Sequence, residues 1–350
     1  MPPGKESDME IKEIRDKARE LMNGSCRVCP ICDGRVCSGE VPGMGGSGTG
    51  AAFRNNIAAL DAIRLTTRLV HEVHYPKLET NILGITLSMP LIVGPIGGAA
   101  FNMGGAVPEA DYQAAVVDGA ADSGIIAGVP DGAPMAIIET ALACVQRRGG
   151  RGIPFLKPWA ADEFDLKVGM SVSAGCTVVG SDLDGIGMIT LRKMGRHVYA
   201  KNRKGLTEMV DIAHERKARF IIKGIMSVED AAACMEAGVD GIIVSNHGGR
   251  VLDHTPGTAE VLPHIAAAVK GRIALIADGG VRTGVDVLKM LALGVDCVMI
   301  GRPYAIAAIG GGAEGVKAYT AMCQEQLEQA MIMTGCHDVT QAGPHLLHNR

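Results

Sequence analysis

From residue 90 onward, short runs of consecutive apolar residues recur at intervals of roughly 25–35 residues. They read LIVGPI (91–96), GIIAGV (124–129), IPFLKP (153–158), TVVGSD (177–182), RFIIKG (219–224), GIIVSN (241–246), RIALIAD (272–278) and DCVMIG (296–301). A strand that is apolar on successive positions is buried on both faces, as in a parallel sheet. Each run is followed by a loop and then by helical spacing, as over Val228–Ala237, Val285–Leu293 and Val316–Thr334. Eight strand–helix units close into a TIM (β/α)8 barrel more naturally than they spread into an open doubly wound sheet, which is the alternative. The chain shows no internal repeat beyond this alternation and no linker long enough to separate a pair of domains.

The preceding segment has a different texture. Ser7-Asp8-Met9-Glu10 is a capping-box signature, and Ile11, Ile14, Ala18, Leu21 and Met22 follow at helical spacing. Asn23-Gly24 ends that helix. Four cysteines and the glycine run GMGGSGTGAA come next, and Phe53–Val70 reads as helical again. The expected organisation is a helical, Cys-rich segment over 1–75 packed on a barrel over 76–350.

Composition narrows the function classes. Glycine is 47 of 350 residues, well above the usual share of about 7%, without a collagen-like period. The excess belongs to turns and to places where backbone approaches a ligand. Aromatics are 3% and the net charge is −4, which argues against single-strand stacking and against a basic field for nucleic acid or anionic membrane. No apolar stretch reaches the roughly 18 residues of a membrane span, and the charged N-terminus lacks the apolar core of a secretory signal, so a cytoplasmic protein is expected. Six of the ten cysteines stand singly in apolar surroundings and read as small buried hydrophobes.

In a barrel of this kind, function sits at the C-terminal ends of the strands. Those ends carry Pro95-Ile96-Gly97, Lys157, Asp182 with Asp184, Lys223, Ser245-Asn246-His247, Asp278-Gly279-Gly280 and Gly301-Arg302. The loops after the seventh and eighth runs place Gly279, Gly280, Arg282, Gly301 and Arg302 where bare amides, a helix N-terminus and a guanidinium can hold a phosphate. Thr283 can cap the helix that follows. His247, flanked by glycines, can move a proton near neutral pH. Arg250 is a natural fork for a carboxylate.

The stretches RFIIKGI, SNHGGRVLD, IADGGVRTGVDVLKMLALG and VMIGRP, in this order and spacing, resemble the FMN-dependent 2-hydroxy-acid oxidase and dehydrogenase family, relatives of glycolate and lactate oxidases. The resemblance is dense from Leu206 to Gly335 and thinner from Arg54 to Asp184. It implies a base at His247, a carboxylate anchor at Arg250, a carboxylate partner for the imidazole at Asp184, and a cation beside the flavin at Lys223. It also implies flavin contacts at Pro95, Ile96, Gly97 and Ser245, and ribityl phosphate binding by Asp278, Gly279, Gly280, Arg282, Gly301 and Arg302. The expected reaction is oxidation of a 2-hydroxy acid to a 2-oxo acid by a homo-oligomer, a tetramer by resemblance.

The chain departs from that family in three places. The tyrosine usual before the first glycine turn has no counterpart in Gly43–Gly48. Trp159 stands for the tyrosine after the third strand, and Lys157 for the preceding glutamine, which makes Lys157 a candidate substrate contact. Gly185–Leu191 holds no second substrate arginine. The family pattern therefore leaves an isomerase on a similar phosphate-binding barrel, resembling type 2 isopentenyl-diphosphate isomerase, and a non-catalytic flavin and metal electron carrier as alternatives.

Cys26, Cys29, Cys32 and Cys37 bring four thiols into one loop. Tetrathiolate sites hold zinc or an iron–sulfur cluster, and three cysteines at three-residue spacing resemble a [4Fe–4S] loop more than a zinc finger. A cluster beside a flavin would pass electrons to a protein acceptor rather than to oxygen.

Overall fold

Each of the eight apolar runs forms a strand in the computed structural model, which describes residues 9–348. A hairpin of β1 (Thr80–Ile82) and β2 (Ile85–Leu87) comes first. The barrel strands are β3 (Leu91–Val93), β4 (Ile126–Pro130), β5 (Ile153–Leu156), β6 (Val178–Asp182), β7 (Arg219–Ile225), β8 (Gly241–Val244), β9 (Ala274–Ala277) and β10 (Cys297–Ile300). All are parallel, and β10 pairs with β3 to close a TIM barrel.

Alternation along the strands explains the unbroken apolar runs. Ile92 points into the barrel with Ile126, Val178, Ile221, Ile243 and Ile276, while its neighbours Leu91 and Val93 pack outward into the helical layer. Ile82 and Leu87 of the hairpin join the inner cluster and plug the barrel's N-terminal end. The hairpin turns through Leu83 and Gly84, both at positive φ. With the floor filled, the barrel interior is reached from the opposite mouth.

Helix α1 (Ile11–Leu21) packs along the final helix, Arg302–Thr334, where Gly310 lies so close to the Ile14 carbonyl that no Cβ would fit. The last helix starts well before Val316, and Gly312 breaks it (φ 59°, ψ −146°). Asn23 and Gly24 both take positive φ and end α1 as expected. Of the expected capping box, Ser7 and Asp8 lie outside the described residues, and Glu10 serves as the N-cap without a side-chain bond.

The helical reading of Phe53–Val70 is only partly right. Helix α2 spans Ala51–Asp61, and the chain then runs extended, with Leu65 bridged to Leu347 and Thr66 donating to the Leu346 carbonyl. β-Branched Thr66 and Thr67 tolerate this extended path, and the C-terminal residues supply backbone partners that a local periodicity cannot register. Among the described residues no helix is long and apolar enough to cross a membrane.

Candidate active site

The mouth is assembled from the ends of different strands. β6 ends at Asp182 and runs into a 3-10 turn, Leu183–Gly187, that carries Asp184. β7 bulges between Lys223 and Ile225. At the bulge Gly224 takes φ +107°, and a Cβ there would come within 2.8 Å of the Asp184 side chain. The glycine thus lets the carboxylate approach, and the bulge re-aims Lys223 into the mouth.

β8 leads to His247, a non-glycine residue at φ +57° in a 3-10 turn through Gly249. Such backbone is costly and persists where its surroundings hold it. Here the His247 amide donates to Ser245 Oγ (3.1 Å) and the Gly249 amide to Asn246 Oδ1 (3.1 Å). Asn246 is locked in turn by Asn56 of α2, through Asn56 Nδ2 to Asn246 Oδ1 (2.8 Å) and Asn246 Nδ2 to Asn56 Oδ1 (3.1 Å). The N-terminal segment therefore holds the imidazole loop in place.

Nδ1 of His247 lies 2.9 Å from Asp184 Oδ1. Its Nε2 has no protein hydrogen bond among the described residues, and the ring lines the cavity. Lys223 Nζ sits 3.9 Å from Asp184 Oδ2 and 3.8 Å from Asp278 Oδ2. Burial alone would raise the Asp184 carboxyl, but His247 and Lys223 outweigh it and bring its pKa down to about 2. Burial lowers the imidazole pKa below its usual 6.5, against the opposing pull of Asp184. Burial also works against the Lys223 ammonium, yet Asp184, Asp278 and Asp182 overcome it and hold its pKa above the ordinary value. Asp278 is pushed up by burial.

Arg250 reaches the mouth as expected. Its Nη2 donates to the Gly43 carbonyl (2.9 Å) and to Asn102 Oδ1 (3.0 Å), while Nε is buried without a partner. Lys157 also lines the cavity, but its Nζ is 2.5 Å from Asp182 Oδ2 and its charge is committed there. Trp159 is buried away from the mouth and donates its indole N–H to Asp131 Oδ2 (2.5 Å), so it does not stand in for a substrate-facing tyrosine. Ser245 is fully buried one layer below the mouth, donating to Asp278 Oδ2 (2.9 Å).

At the opposite end, Gly279 (φ +97°) and Gly280 (φ +85°) turn after β9, and among the described residues their amides have no protein acceptor. The helix Gly284–Ala292 closes its own first turn with a Thr283–Asp286 capping box. The free donors here thus come from the glycine turn rather than from that helix end. Arg302 spends Nε and Nη2 on the carbonyls of Met44 and Gly45, whereas Arg282 keeps a buried, unpartnered Nε. Pro95, Ile96, Gly97 and Gly301 line the same cavity.

Asp131, Asn56 and Asn102 escaped sequence reasoning as site residues, since a single buried polar residue carries no periodic signal; Asp182 was marked by its strand end, but its pairing with Lys157 was not. Asp182, Asp184 and His247 offer three ligand atoms within 4.8 Å of one another. Lys157 and the His247–Asp184 contact already engage one oxygen of each carboxylate and His247 Nδ1. The four clustered cysteines line a small cavity of their own that shares Met44 and Arg302 with the mouth.

The profile of a family described as FMN-dependent dehydrogenase matches residues 43–188 and 159–349. L-lactate oxidase of Lactobacillus jensenii is 30% identical over 313 residues, covering 82% of this chain and 75% of the relative. L-lactate oxidase of Lacticaseibacillus rhamnosus is 32% identical over 323 residues, covering 83% and 84%. Among solved structures, mandelate oxidase with benzoyl-formic acid superposes with a TM-score of 0.76 at 26% identity, covering 97% of each chain.

Proposed function

The chain belongs to the FMN-dependent dehydrogenase family of 2-hydroxy-acid oxidases and dehydrogenases, and on that premise we propose that His247 takes the hydroxyl-side proton of a 2-hydroxy acid while Arg250 anchors its carboxylate. Membership favours this reading over the isomerase and electron-carrier alternatives.

The residues present fit the cofactor. Buried polar atoms without partners gather around this one mouth, on Ser181, Asp182, Asp184, Arg250, Asp278 and Arg282. Unmet donors and acceptors at such density call for a polar ligand. Gly279, Gly280, Gly301 and Arg282 would hold the phosphate, with Arg302 fixing the adjoining glycine loop. The backbone of Pro95, Ile96 and Gly97 would meet the ring system, and Lys223 would present a fixed cation to it. FMN bound there supplies the two-electron acceptor.

The observation that carries the proposal is the 2.9 Å contact between His247 Nδ1 and Asp184 Oδ1, which leaves Nε2 toward the cavity. With Nδ1–H donated to the carboxylate, Nε2 is the free base, and Asp184 stabilises the imidazolium formed when Nε2 accepts a proton. The unpartnered Arg250 Nε supplies a donor for the substrate carboxylate. Phe101, Ile137, Met188, Leu191 and Met194 give the rest of the lining an apolar character, which suits an acid with an apolar side chain.

Anaerobic mixing with a panel of 2-hydroxy acids tests the reading. Bleaching of the flavin absorbance, fastest with apolar side chains, is expected. A flavin-loaded protein that no member of the panel bleaches would overturn it.

A further inference from the structure

We infer that Cys26, Cys29, Cys32 and Cys37 hold a [4Fe–4S] cluster behind the phosphate end of the cofactor site. The proposed oxidation does not use these thiols, yet all four line one small enclosed cavity, whose remaining wall includes Val28, Gly34, Met44, Phe53 and Arg302. None is in a disulfide.

The sulfur spacing is wider than a closed zinc site needs. Four thiolates about 2.3 Å from one tetrahedral zinc would stand within about 4 Å of each other. Among the described residues no three of these sulfurs lie within 4.8 Å of one another. Wider spacing is what a cubane requires, since each cysteine binds a different iron.

The loop also aims donors at sulfur. The Val28 amide points to Cys26 Sγ (3.4 Å), and Arg282 Nη2 lies 3.5 Å from Cys32 Sγ as well as 3.3 Å from the Cys32 carbonyl. Hydrogen bonds to ligand sulfurs stabilise and tune such centres. Val28 adopts φ +46° although it is β-branched, and it is buried. Residues held in that region are outliers that surrounding structure must enforce.

Charge points the same way. A cubane with four thiolates is anionic, and two guanidinium groups stand beside this cavity. Arg302 lies 3.9 Å and Arg282 5.8 Å from the centre of the Phe53 ring. Met44 and Arg302 line both this cavity and the mouth, so the cluster and the cofactor would share a wall one side chain thick.

The test uses the full chain purified anaerobically after incubation with ferrous iron and sulfide. Iron, sulfide, zinc and FMN are measured on the same sample, and the dithionite-reduced protein is examined by low-temperature electron paramagnetic resonance. About four iron and four sulfide per chain with a reduced-cluster signal are expected. Cys29→Ser should lose most of the iron, whereas Cys144→Ser, at a lone buried cysteine, should keep it. If the variants do not fold, the metal analysis of the unaltered chain decides. Zinc without sulfide, or a chain that binds FMN but no iron, would overturn the inference. Iron and sulfide in a chain that binds no FMN would support the cluster while removing the flavin reading.

Discussion

His247 and Asp184 are 63 residues apart in the chain, and the bulge at Gly224 lets their side chains meet at 2.9 Å. The carboxylate fixes which imidazole nitrogen faces the cavity. Replacing His247 with Ala removes the base without touching the phosphate end. We expect FMN to be retained while acid-dependent flavin reduction slows by about 10²–10⁴-fold. Anaerobic stopped-flow absorbance measures this, and an undiminished rate would remove His247 from the mechanism.

The same pair sets the pH response. A base works when neutral, so reduction should weaken as pH falls through the imidazole pKa, which burial places below 6.5. Asp184 opposes that downward pull, so Asp184→Asn should move the midpoint to lower pH and cut the plateau rate. A pH series of the reductive rate for both proteins checks the direction. A midpoint that rises in Asp184→Asn would contradict the assignment.

Arg282 brings a buried, unpartnered Nε to the glycine turn. A charge-assisted hydrogen bond contributes about 1.5–3 kcal/mol, so Arg282→Ala should weaken FMN binding about 10- to 100-fold. Fluorescence titration of the apoprotein with FMN reads this out, and unaltered affinity would exclude a phosphate contact.

Asp131 accepts from Lys167 Nζ (2.8 Å), the Lys157 amide (3.0 Å) and the Trp159 indole, and Lys167 is 1% exposed. Removing one partner of a buried pair strands the other charge. Asp131→Ala should therefore destabilise the protein by about 3–5 kcal/mol, seen as a lower urea midpoint. The neighbouring Glu163 carboxylate, 3.0 Å from Lys167, places the loss toward the lower end of that range.

Gly249 takes φ +77°, and an added Cβ would collide with the Phe53 backbone of α2. Gly249→Ala should cost on the order of 1–3 kcal/mol from backbone strain alone and should slow flavin reduction by shifting the neighbouring His247 loop. Differential scanning fluorimetry paired with stopped-flow separates the two effects. A stable variant with a full rate would show that the contact is not needed.

The barrel was readable because strands buried on both faces leave unbroken apolar runs, and all eight of those runs became strands. Hairpin β1–β2 left no such trace, since three-residue strands with polar Thr80, Asn81 and Thr86 carry too little pattern. His247, Arg250 and Lys223 could be found because glycines and strand ends mark them. Asp131 could not, because its meaning lies in Lys167 across the fold, and Asp182, though marked by its strand end, gave no sign of its pairing with Lys157. Phe53–Val70 was overextended for the same reason: the partners that pull residues 65 and 66 into extended chain are Leu347 and Leu346.

The glycine loop at 43–49 is tied to residues far downstream: Ser47 to Gly249, Thr49 to Asp253, and Met44 and Gly45 to Arg302. The Met44–Arg302 bond spans 258 positions. Closing so long a span before the intervening strands have paired is entropically costly. The loop's anchors follow β8 and β10, so it can hold this form only where both ends of the barrel have come together.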